Sequence, residues 1–128
     1  MQFLLDTCAI LWYAQGSSEL PRSIKDLMER ELCFYSIASL WEIAIKQKLG
    51  KIDLGFSVVE EAKLCADAGF VQLRMTPEHI EHTKSLELIH RDPFDRLIIS
   101  QAQTENLTII TSDKTIPGYP VKTMWSNN

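Results

Sequence analysis

Between Ile89 and Gln103 the sequence reads Ile-His-Arg-Asp-Pro-Phe-Asp-Arg-Leu-Ile-Ile-Ser-Gln-Ala-Gln, and this pattern predicts the start of a helix. Asp92 takes the N-cap position and Pro93 the first helical position, and an apolar run follows. Asp95 comes three residues after the cap, where its carboxylate can meet the free N–H groups and the positive dipole end of the first turn. Taken alone, the pattern favours a capping box with Asp in place of Glu or Gln.

The segments around this helix predict a single α/β domain spanning residues 1–128. Short apolar runs, typical of the buried strands of a parallel sheet, occupy residues 3–5, 32–35, 70–73, 107–110 and 121–123. Helices are predicted between them, at residues 7–15, from 21, and at 37–49, 58–68 and from 77. Because strands and helices alternate, we expect a mostly parallel sheet of four or five strands with helices on both faces.

Length and composition are those of one cytoplasmic globular domain. The 128 residues are 45% hydrophobic and 23% charged. The N-terminal apolar run is too short for a signal peptide, and no other segment approaches a membrane span. Cys8, Cys33 and Cys65 form no CxxC pair, and we expect them to be reduced thiols in the core.

The formal net charge is −4, which argues against a protein that holds nucleic acid by a broad basic surface. It does not exclude an enzyme that cuts nucleic acid, because bound cations would offset the charge of a carboxylate metal site. An acidic surface would also suit a basic protein partner.

Two aspartates follow predicted strands. Asp6 comes directly after the first strand, and Asp113 comes after the fourth. Ligands of open parallel sheets bind beyond the carboxyl ends of the strands, so both side chains would lie at one edge. Each aspartate taken alone is more often a helix cap or a turn former.

A third acid, Glu42, stands on a predicted helix that is apolar on nearly every side. Its polar neighbours Ser39 and Lys46 are three and four residues away, which aligns the three side chains in one narrow stripe. Two interpretations stay open for this stripe. It is either solvated, with a Glu42–Lys46 pair worth roughly 0.3–0.5 kcal/mol, or it faces a catalytic cleft.

A cluster of Asp6, Glu42, Asp95 and Asp113 would cost energy unless something positive sits within it. Mg²⁺ or Mn²⁺ would remove that cost, since hard divalent cations take carboxylate oxygens as ligands. A soft-metal site is not expected, because no cysteine or histidine pair has ligand spacing. We expect the side chains of two histidines, His79 and His82, on helix surfaces, and His90 is a candidate neighbour of the cleft.

The four acids stand in segments that resemble the PIN-domain ribonucleases, most closely the VapC-type toxins of bacterial toxin–antitoxin pairs. These segments, in the family's order, are Leu5-Asp6-Thr7, Ser39-Leu40-Trp41-Glu42-Ile43, His90-Arg91-Asp92-Pro93-Phe94-Asp95-Arg96-Leu97-Ile98 and Thr111-Ser112-Asp113. The resemblance covers essentially the whole chain. It implies an endoribonuclease that depends on Mg²⁺ or Mn²⁺, is usually dimeric, and is held inactive by a cognate antitoxin.

The resemblance also implies roles for individual residues. The expected metal ligands are Asp6, Glu42, Asp95 and, more peripherally, Asp113. The family's third acid stands just before the apolar part of its helix, which matches Asp95 and leaves Asp92 as the cap and an outer contact. The hydroxyls expected to orient a carboxylate or a bound water belong to Thr7, Ser39 and Thr111. Lys46 and Arg96 are candidates for RNA phosphate contacts, although Lys46 equally pairs with Glu42.

The expected reaction is hydrolysis of a phosphodiester by a water molecule whose pKa the metal lowers, without a covalent intermediate. Three other functions fit the sequence less well. A phosphatase of the haloacid-dehalogenase type needs Asp-x-Asp, but Cys8 stands two residues after Asp6. A receiver-like phosphoacceptor domain needs an Asp after a middle strand, where Leu73-Arg74-Met75 supplies none. The intact acids argue against a catalytically silent PIN fold that serves as an interaction module.

Overall fold

The computed structural model describes residues 1–125, and a five-stranded sheet runs through its centre. The strands are β1 (Gln2–Leu5), β2 (Leu32–Ser36), β3 (Val71–Leu73), β4 (Thr108–Ile110) and β5 (Thr123–Met124), in the order β3-β2-β1-β4-β5. Every neighbouring pair is parallel, which confirms the predicted α/β architecture. Residues 126–128, the end of the predicted domain, lie outside the described part of the chain.

Residues 1–125 contain six α-helices: α1 (Thr7–Gln15), α2 (Arg22–Arg30), α3 (Ile37–Lys48), α4 (Val58–Asp67), α5 (Pro77–His82) and α6 (Pro93–Glu105). Short 3₁₀ turns lie at Thr83–Ser85 and Ile116–Gly118. The helix starts follow the predicted capping chemistry. Ser36 caps α3, and a capping residue followed by proline opens both α5 and α6. Local side-chain to backbone hydrogen bonds therefore set where these helices begin.

The central strands are buried on both faces of the sheet. In β1, Phe3 and Leu5 pack into one hydrophobic cluster, together with side chains of α1 to α4. Leu4 points the other way and packs into a second cluster built largely from α6 and the segments around β4. Side chains of a strand alternate between its faces, so the continuous apolar run of β1 fills both layers.

Three predictions were wrong in detail. The last strand, predicted at residues 121–123, is Thr123–Met124, because Thr123 and Met124 are the register partners of β4. Cys8 is exposed, whereas Cys33 and Cys65 are buried as expected. His79 is fully buried rather than on the surface, because both ring nitrogens have partners there.

The apolar side chains of α1 and α2 belong largely to the core. Ile24, Leu27 and Met28 of α2 are buried, and Trp12 and Tyr13 pack against the same cluster. Within residues 1–125, no helix combines the length and apolar character needed to cross a membrane.

Candidate metal centre

The carboxyl ends of β1 and β4 bring two of the predicted acids to one edge of the sheet. Leu5 and Ile110 are register partners in these parallel strands, and the Asp6 N–H donates to the Ile110 carbonyl at 3.1 Å. Asp113 lies just beyond β4, where its N–H donates to the Thr111 hydroxyl at 3.0 Å. This is the crevice in which open parallel sheets bind their ligands.

Asp6 is both a helix cap and a member of the acid cluster. Its Oδ1 accepts a hydrogen bond from the Ala9 N–H at 2.9 Å, and the residue is only 5% exposed. Burial raises the pKa of Asp6 to about 6. Hydrogen bonds from Thr111 and Ala9 offset part of this rise, while the charges of Asp113 and Glu42 add to it. Asp6 therefore caps α1 and also lies near two of the other acids.

Glu42 is buried, with both carboxylate oxygens hydrogen-bonded. Oε1 accepts from the Thr7 hydroxyl at 2.6 Å, and Oε2 accepts from Lys46 Nζ at 2.7 Å. The Thr7 and Ser39 hydroxyl oxygens lie 2.9 Å apart. Because Thr7 gives its single proton to Glu42, Ser39 is the donor in that contact. The stripe on α3 is therefore not solvated at Ser39 and Glu42, which are 0% and 4% exposed.

Asp95 lies in the first turn of α6, beside the other acids. Asp92 is the N-cap of this helix, with its Oδ1 accepting from the Phe94 N–H at 2.8 Å. Asp95 contacts His90 instead of completing a capping box, with its Oδ2 lying 3.1 Å from His90 Nε2. Burial raises the pKa of Asp95 to about 7, and the charges of Asp92, Glu42 and Asp6 add to the rise.

Asp113 is held by main-chain and side-chain donors. Its Oδ1 accepts from the N–H groups of Thr115 and Ile116 at 2.7 and 3.2 Å, and its Oδ2 lies 2.9 Å from His90 Nε2. Burial favours the neutral carboxyl, but the hydrogen bonds from His90 and from the two amides outweigh it and hold the pKa of Asp113 below its usual range. Asp113 is therefore the fixed, ionised member of the cluster.

The two candidate phosphate contacts differ in position. Lys46 reaches the cluster through Glu42 and remains 39% exposed at its side chain. Its hydrogen bond with Glu42 raises the pKa of Lys46, which keeps it protonated. Arg96 instead donates from a terminal nitrogen to the Thr83 carbonyl at 3.2 Å. Its guanidinium is thus engaged by the 3₁₀ turn that follows α5.

The donor set fits a hard divalent cation. Asp95 and Asp113 each have a carboxylate oxygen within 4.8 Å of the other and of a His90 ring nitrogen, and Asp6 and Glu42 lie near enough for their charges to raise the pKa of Asp95. Burial is the main cause of the raised pKa values of Asp6 and Asp95, and the charges of neighbouring acids add to it. Oxygen ligands of this kind suit Mg²⁺ and Mn²⁺. Cys8 lies next to the cluster with part of its residue surface exposed. The surrounding atoms still shield its thiol from water enough to raise the pKa to about 11, and the charge of Asp6 adds to the rise, so Cys8 stays a thiol and does not make this a soft-metal site.

Two residues of this region, His90 and Tyr119, make contacts that the sequence did not predict. His90, treated there only as a candidate neighbour, contacts both Asp95 and Asp113, and one ligand atom from each of the three residues lies within 4.8 Å of the others. The buried Tyr119 hydroxyl accepts from the N–H groups of Ile89 and His90. The spacing of His90 before Asp92 was the available signal, whereas the contact with Tyr119 spans 29 residues.

Comparison with known proteins gives a family-model match and similar solved structures. The PIN domain model matches residues 3–121. A sequence search of curated proteins gave no match. VapBC2 from Rickettsia felis, bound to a promoter DNA fragment, is 18% identical with a TM-score of 0.67, covering 98% of this chain and 100% of its own.

Two further structures have a similar fold. VapC20 from Mycobacterium tuberculosis, a toxin that cleaves the sarcin–ricin loop, is 13% identical with a TM-score of 0.67, covering 97% of this chain and 99% of its own. DNA-bound VapBC from Salmonella typhimurium is 15% identical with a TM-score of 0.64, covering 97% of each chain. At these identities the likeness establishes the shared fold. The match of the family model to nearly the whole chain shows that this protein belongs to the PIN domain family.

Proposed function

We propose that this chain is an endoribonuclease that hydrolyses RNA phosphodiesters with the help of Mg²⁺ or Mn²⁺, and that it is the toxin of a toxin–antitoxin pair. The observation that carries the proposal is the convergence of Asp6, Glu42, Asp95 and Asp113 at the carboxyl edge of a parallel sheet. Two of these carboxyls have raised pKa values that a bound dication would lower. The PIN family assignment supports a hydrolase of this class.

The residues at this site have different proposed roles. Asp6 and Asp95 offer carboxylate oxygens to a metal, and Thr7 and Lys46 fix the orientation of Glu42. When bound, the metal supplies an activated water and stabilises charge on the departing oxygen. A covalent route through Cys8 is not expected, since a thiol whose pKa is about 11 holds little thiolate at neutral pH.

An open cleft beside the cluster offers a path for the RNA strand. Its volume is about 510 Å³, and its lining includes Thr7, Cys8, Lys46 and Lys51. Lys46 and Lys51 would contact RNA phosphates in this cleft. RNA binding would then depend on these local lysines, so the net charge of −4 does not prevent it. Arg96 is a weaker candidate, because the Thr83 carbonyl already binds its guanidinium.

The test is a cleavage assay on single-stranded and hairpin RNA with Mg²⁺, Mn²⁺ or EDTA. We expect cleavage with either metal and none in EDTA. Asp95→Asn should lower the rate by at least about 100-fold, since removing even a supporting contact of a metal ligand costs roughly 10–100-fold. Asp67→Asn, the same change at an exposed residue of α4, should cleave like the parent.

Metal-independent cleavage, or full activity of Asp95→Asn, would contradict the proposed chemistry. Absence of cleavage on a broad panel of cellular RNAs by a folded, metal-binding chain would instead favour the interaction-module alternative. DNA substrates of matched sequence distinguish a ribonuclease from a general nuclease.

A cognate antitoxin is the proposed partner, and the cytoplasm is the proposed location of the complex. Solved structures of similar fold include VapBC assemblies from Rickettsia felis and Salmonella typhimurium. An acidic chain with an acidic cleft suits a basic inhibitory segment that places Arg or Lys among the carboxylates. Co-expression with the adjacent reading frame should yield a stable complex with suppressed cleavage. Recovery of a free, fully active chain from its native operon would argue against the toxin.

We further propose a homodimer formed through an exposed apolar groove between α3, α5 and α6. Trp41, Met75 and Ile80 are 61%, 40% and 51% exposed there, and Trp41 packs edge-on against Phe94 at 5.5 Å between ring centroids. We propose a second copy as its occupant because exposed apolar surface of this size marks an interaction site, and two copies of Trp41 related by a two-fold axis can each enter the other's groove. Light scattering should give a dimer for the parent and a monomer for Trp41→Ser, whereas a monomeric parent would exclude this interface.

A further inference from the structure

Two hydrogen bonds and one close carboxylate contact determine the state of the His90 ring. The Asp92 backbone N–H donates to His90 Nδ1 at 3.1 Å. A backbone N–H can only donate, so Nδ1 accepts through its lone pair and carries no proton. The neutral ring therefore holds its proton at Nε2, on the side that faces Asp95 and Asp113. The residue that follows His90 by two positions thus selects its tautomer.

His90 Nε2 is hydrogen-bonded to Asp113 and also lies against the carboxylate of Asp95. Asp113 Oδ2 lies 2.9 Å from Nε2, and Asp95 Oδ2 lies 3.1 Å from it. Asp113 comes from the segment after β4, and Asp95 comes from α6. One donor atom therefore links two acids from separate elements of the fold.

The cluster of His90, Asp95 and Asp113 has the atom spacing of a metal site, with one ligand atom of each within 4.8 Å of the others. The tautomer argues against a direct bond from His90 to a metal. A metal would need the Nε2 lone pair, and the ring would then carry its proton at Nδ1, facing the Asp92 N–H. Two N–H groups would oppose each other, and the hydrogen bond at 3.1 Å would be lost.

The backbone around His90 is fixed from a second direction. The Tyr119 hydroxyl accepts from the N–H groups of Ile89 and His90 at 3.1 and 2.7 Å, and it donates to the Glu87 carbonyl at 2.7 Å. Tyr119 is 4% exposed, so these hydrogen bonds are sheltered from water. The ring of His90 thus has little freedom to move away from the two carboxylates.

We propose that His90 is a positioning residue of the metal centre, which donates its Nε2 proton to Asp113, holds the Asp95 carboxylate against the same nitrogen, and is not a metal ligand. The contact fixes the position of Asp95 Oδ2, and the charges of Glu42 and Asp6 act on the same carboxylate. This role rests on the proposed metal site, but the tautomer itself does not depend on it. Such supporting contacts commonly change metal affinity or activity by roughly 10–100-fold.

The first test measures the ring directly in the intact chain. Two-bond ¹H–¹⁵N NMR spectra of the metal-free protein should show His90 with a protonated Nε2 and an unprotonated Nδ1. Adding Mg²⁺, which is diamagnetic, should leave the Nε2 proton in place. A ring protonated at Nδ1 only, or loss of the Nε2 proton when Mg²⁺ binds, would overturn the proposal and make His90 a ligand.

The second test compares variants by Mn²⁺ titration in a calorimeter, together with the cleavage rate. His90→Ala should weaken Mn²⁺ binding by roughly 10–100-fold. His90→Gln keeps an N–H donor close to the position of Nε2 and should restore most of the affinity. His82→Gln is the matched control, because His82 is hydrogen-bonded to Gln103 instead of to the acids.

Parent-like Mn²⁺ binding by His90→Ala, or no rescue by His90→Gln, would overturn the positioning role. If His90→Ala does not fold, the NMR experiment and His90→Gln still decide the question. A parent that binds Mn²⁺ with the expected His90 pattern yet cuts no RNA would refute the proposed ribonuclease while leaving this inference intact.

Discussion

Two regions of this protein bury carboxylates, and they treat them differently. At the edge of the sheet, Asp6, Glu42, Asp95 and Asp113 each have at least one hydrogen-bonding or charged partner. On α4, Glu61 is fully buried and neither of its oxygens has a hydrogen-bonding partner among the described residues. Burial alone raises the pKa of Glu61 to about 7. The carboxylates of the first region are held in place by partners, as expected of a binding site. The carboxyl of Glu61 is buried without a hydrogen bond to offset the loss of water.

The pKa values of Asp6, Asp95 and Glu61 are all raised, but the causes differ between the two regions. Asp6 and Asp95 are raised by burial together with neighbouring negative charges, so a cation placed among them would lower both values. Glu61 lies by Tyr35 and Cys65 of the larger hydrophobic cluster, and no charged group of residues 1–125 contributes to its raised pKa. A bound metal should therefore stabilise the ionised carboxylates at the edge of the sheet and leave the unfavourable burial of Glu61 on α4 unchanged.

The largest expected effect concerns the stability cost of Glu61. Its ordinary pKa of 4.5 applies to the unfolded chain, so between pH 4.5 and about 7 the unfolded state loses this proton first. Stability should then fall as pH rises through this window and stay level above it. The difference between the two pKa values corresponds to about 3 kcal/mol. Glu61→Met removes the carboxyl with little change in volume and should remove this part of the pH dependence.

Urea denaturation of the metal-free parent and of Glu61→Met at pH 5 and pH 8 measures the effect. The variant should gain stability over the parent mainly at pH 8. Asp67→Asn, at an exposed position of the same helix, should show no such pH-dependent gain. An equal difference between parent and Glu61→Met at both pH values would mean that the carboxyl ionises freely, and the contrast between the two regions would collapse.

The next effect concerns metal stabilisation of the acid cluster. Mn²⁺ at a hundredfold excess over its Kd should stabilise the parent by about 2.7 kcal/mol. Asp6→Asn should melt above the parent in EDTA, because it removes one of the like charges while the amide oxygen can still cap α1. It should gain little from Mn²⁺ and should not cleave RNA. Glu61→Met should gain as much from Mn²⁺ as the parent does.

Melting curves in EDTA and in Mn²⁺ decide between two roles of Asp6. A variant that melts below the parent in EDTA, yet gains equally from Mn²⁺, would show that Asp6 acts as a structural cap without binding metal. That outcome would move the metal centre toward Asp95 and Asp113.

The fold was predictable from the sequence because its signals are local. Strands such as β1 are continuous apolar runs, and helix starts such as Asp92–Pro93 combine a side-chain cap with a fixed backbone angle. The position of β5 was less predictable, since it depends on pairing with β4 across more than ten intervening residues. Register in a sheet is a long-range property that no local pattern carries.

The site was predictable only in its acids. Asp6 and Asp113 follow strands, so the geometry of parallel sheets places them together. The burial of His79 depends on Glu105 of α6, and the role of His90 depends on Asp113, 23 residues away. The burial of Glu61 could not be predicted, because an acid in the first turn of a capped helix usually faces solvent.

The smallest expected effect tests the two neighbouring aspartates of α6. Asp92→Ala removes the acceptor of the Phe94 N–H and should cost about 0.5–2 kcal/mol of stability. The backbone N–H of Asp92 remains, so His90 keeps its tautomer and measurable cleavage should persist. Ser57→Ala, which removes the cap of α4, is the matched control and should cost a similar amount of stability with full activity.

Asp95→Asn should show the opposite pattern, because Asp95 caps nothing and faces the acid cluster. Its stability in EDTA should equal or exceed that of the parent, while cleavage is lost. Denaturation curves give the stability of each of the three variants, and initial rates give its cleavage activity. If Asp92→Ala and Asp95→Asn lose activity equally, then both carboxylates serve the metal, and the cap on α6 belongs to the site as the cap on α1 does.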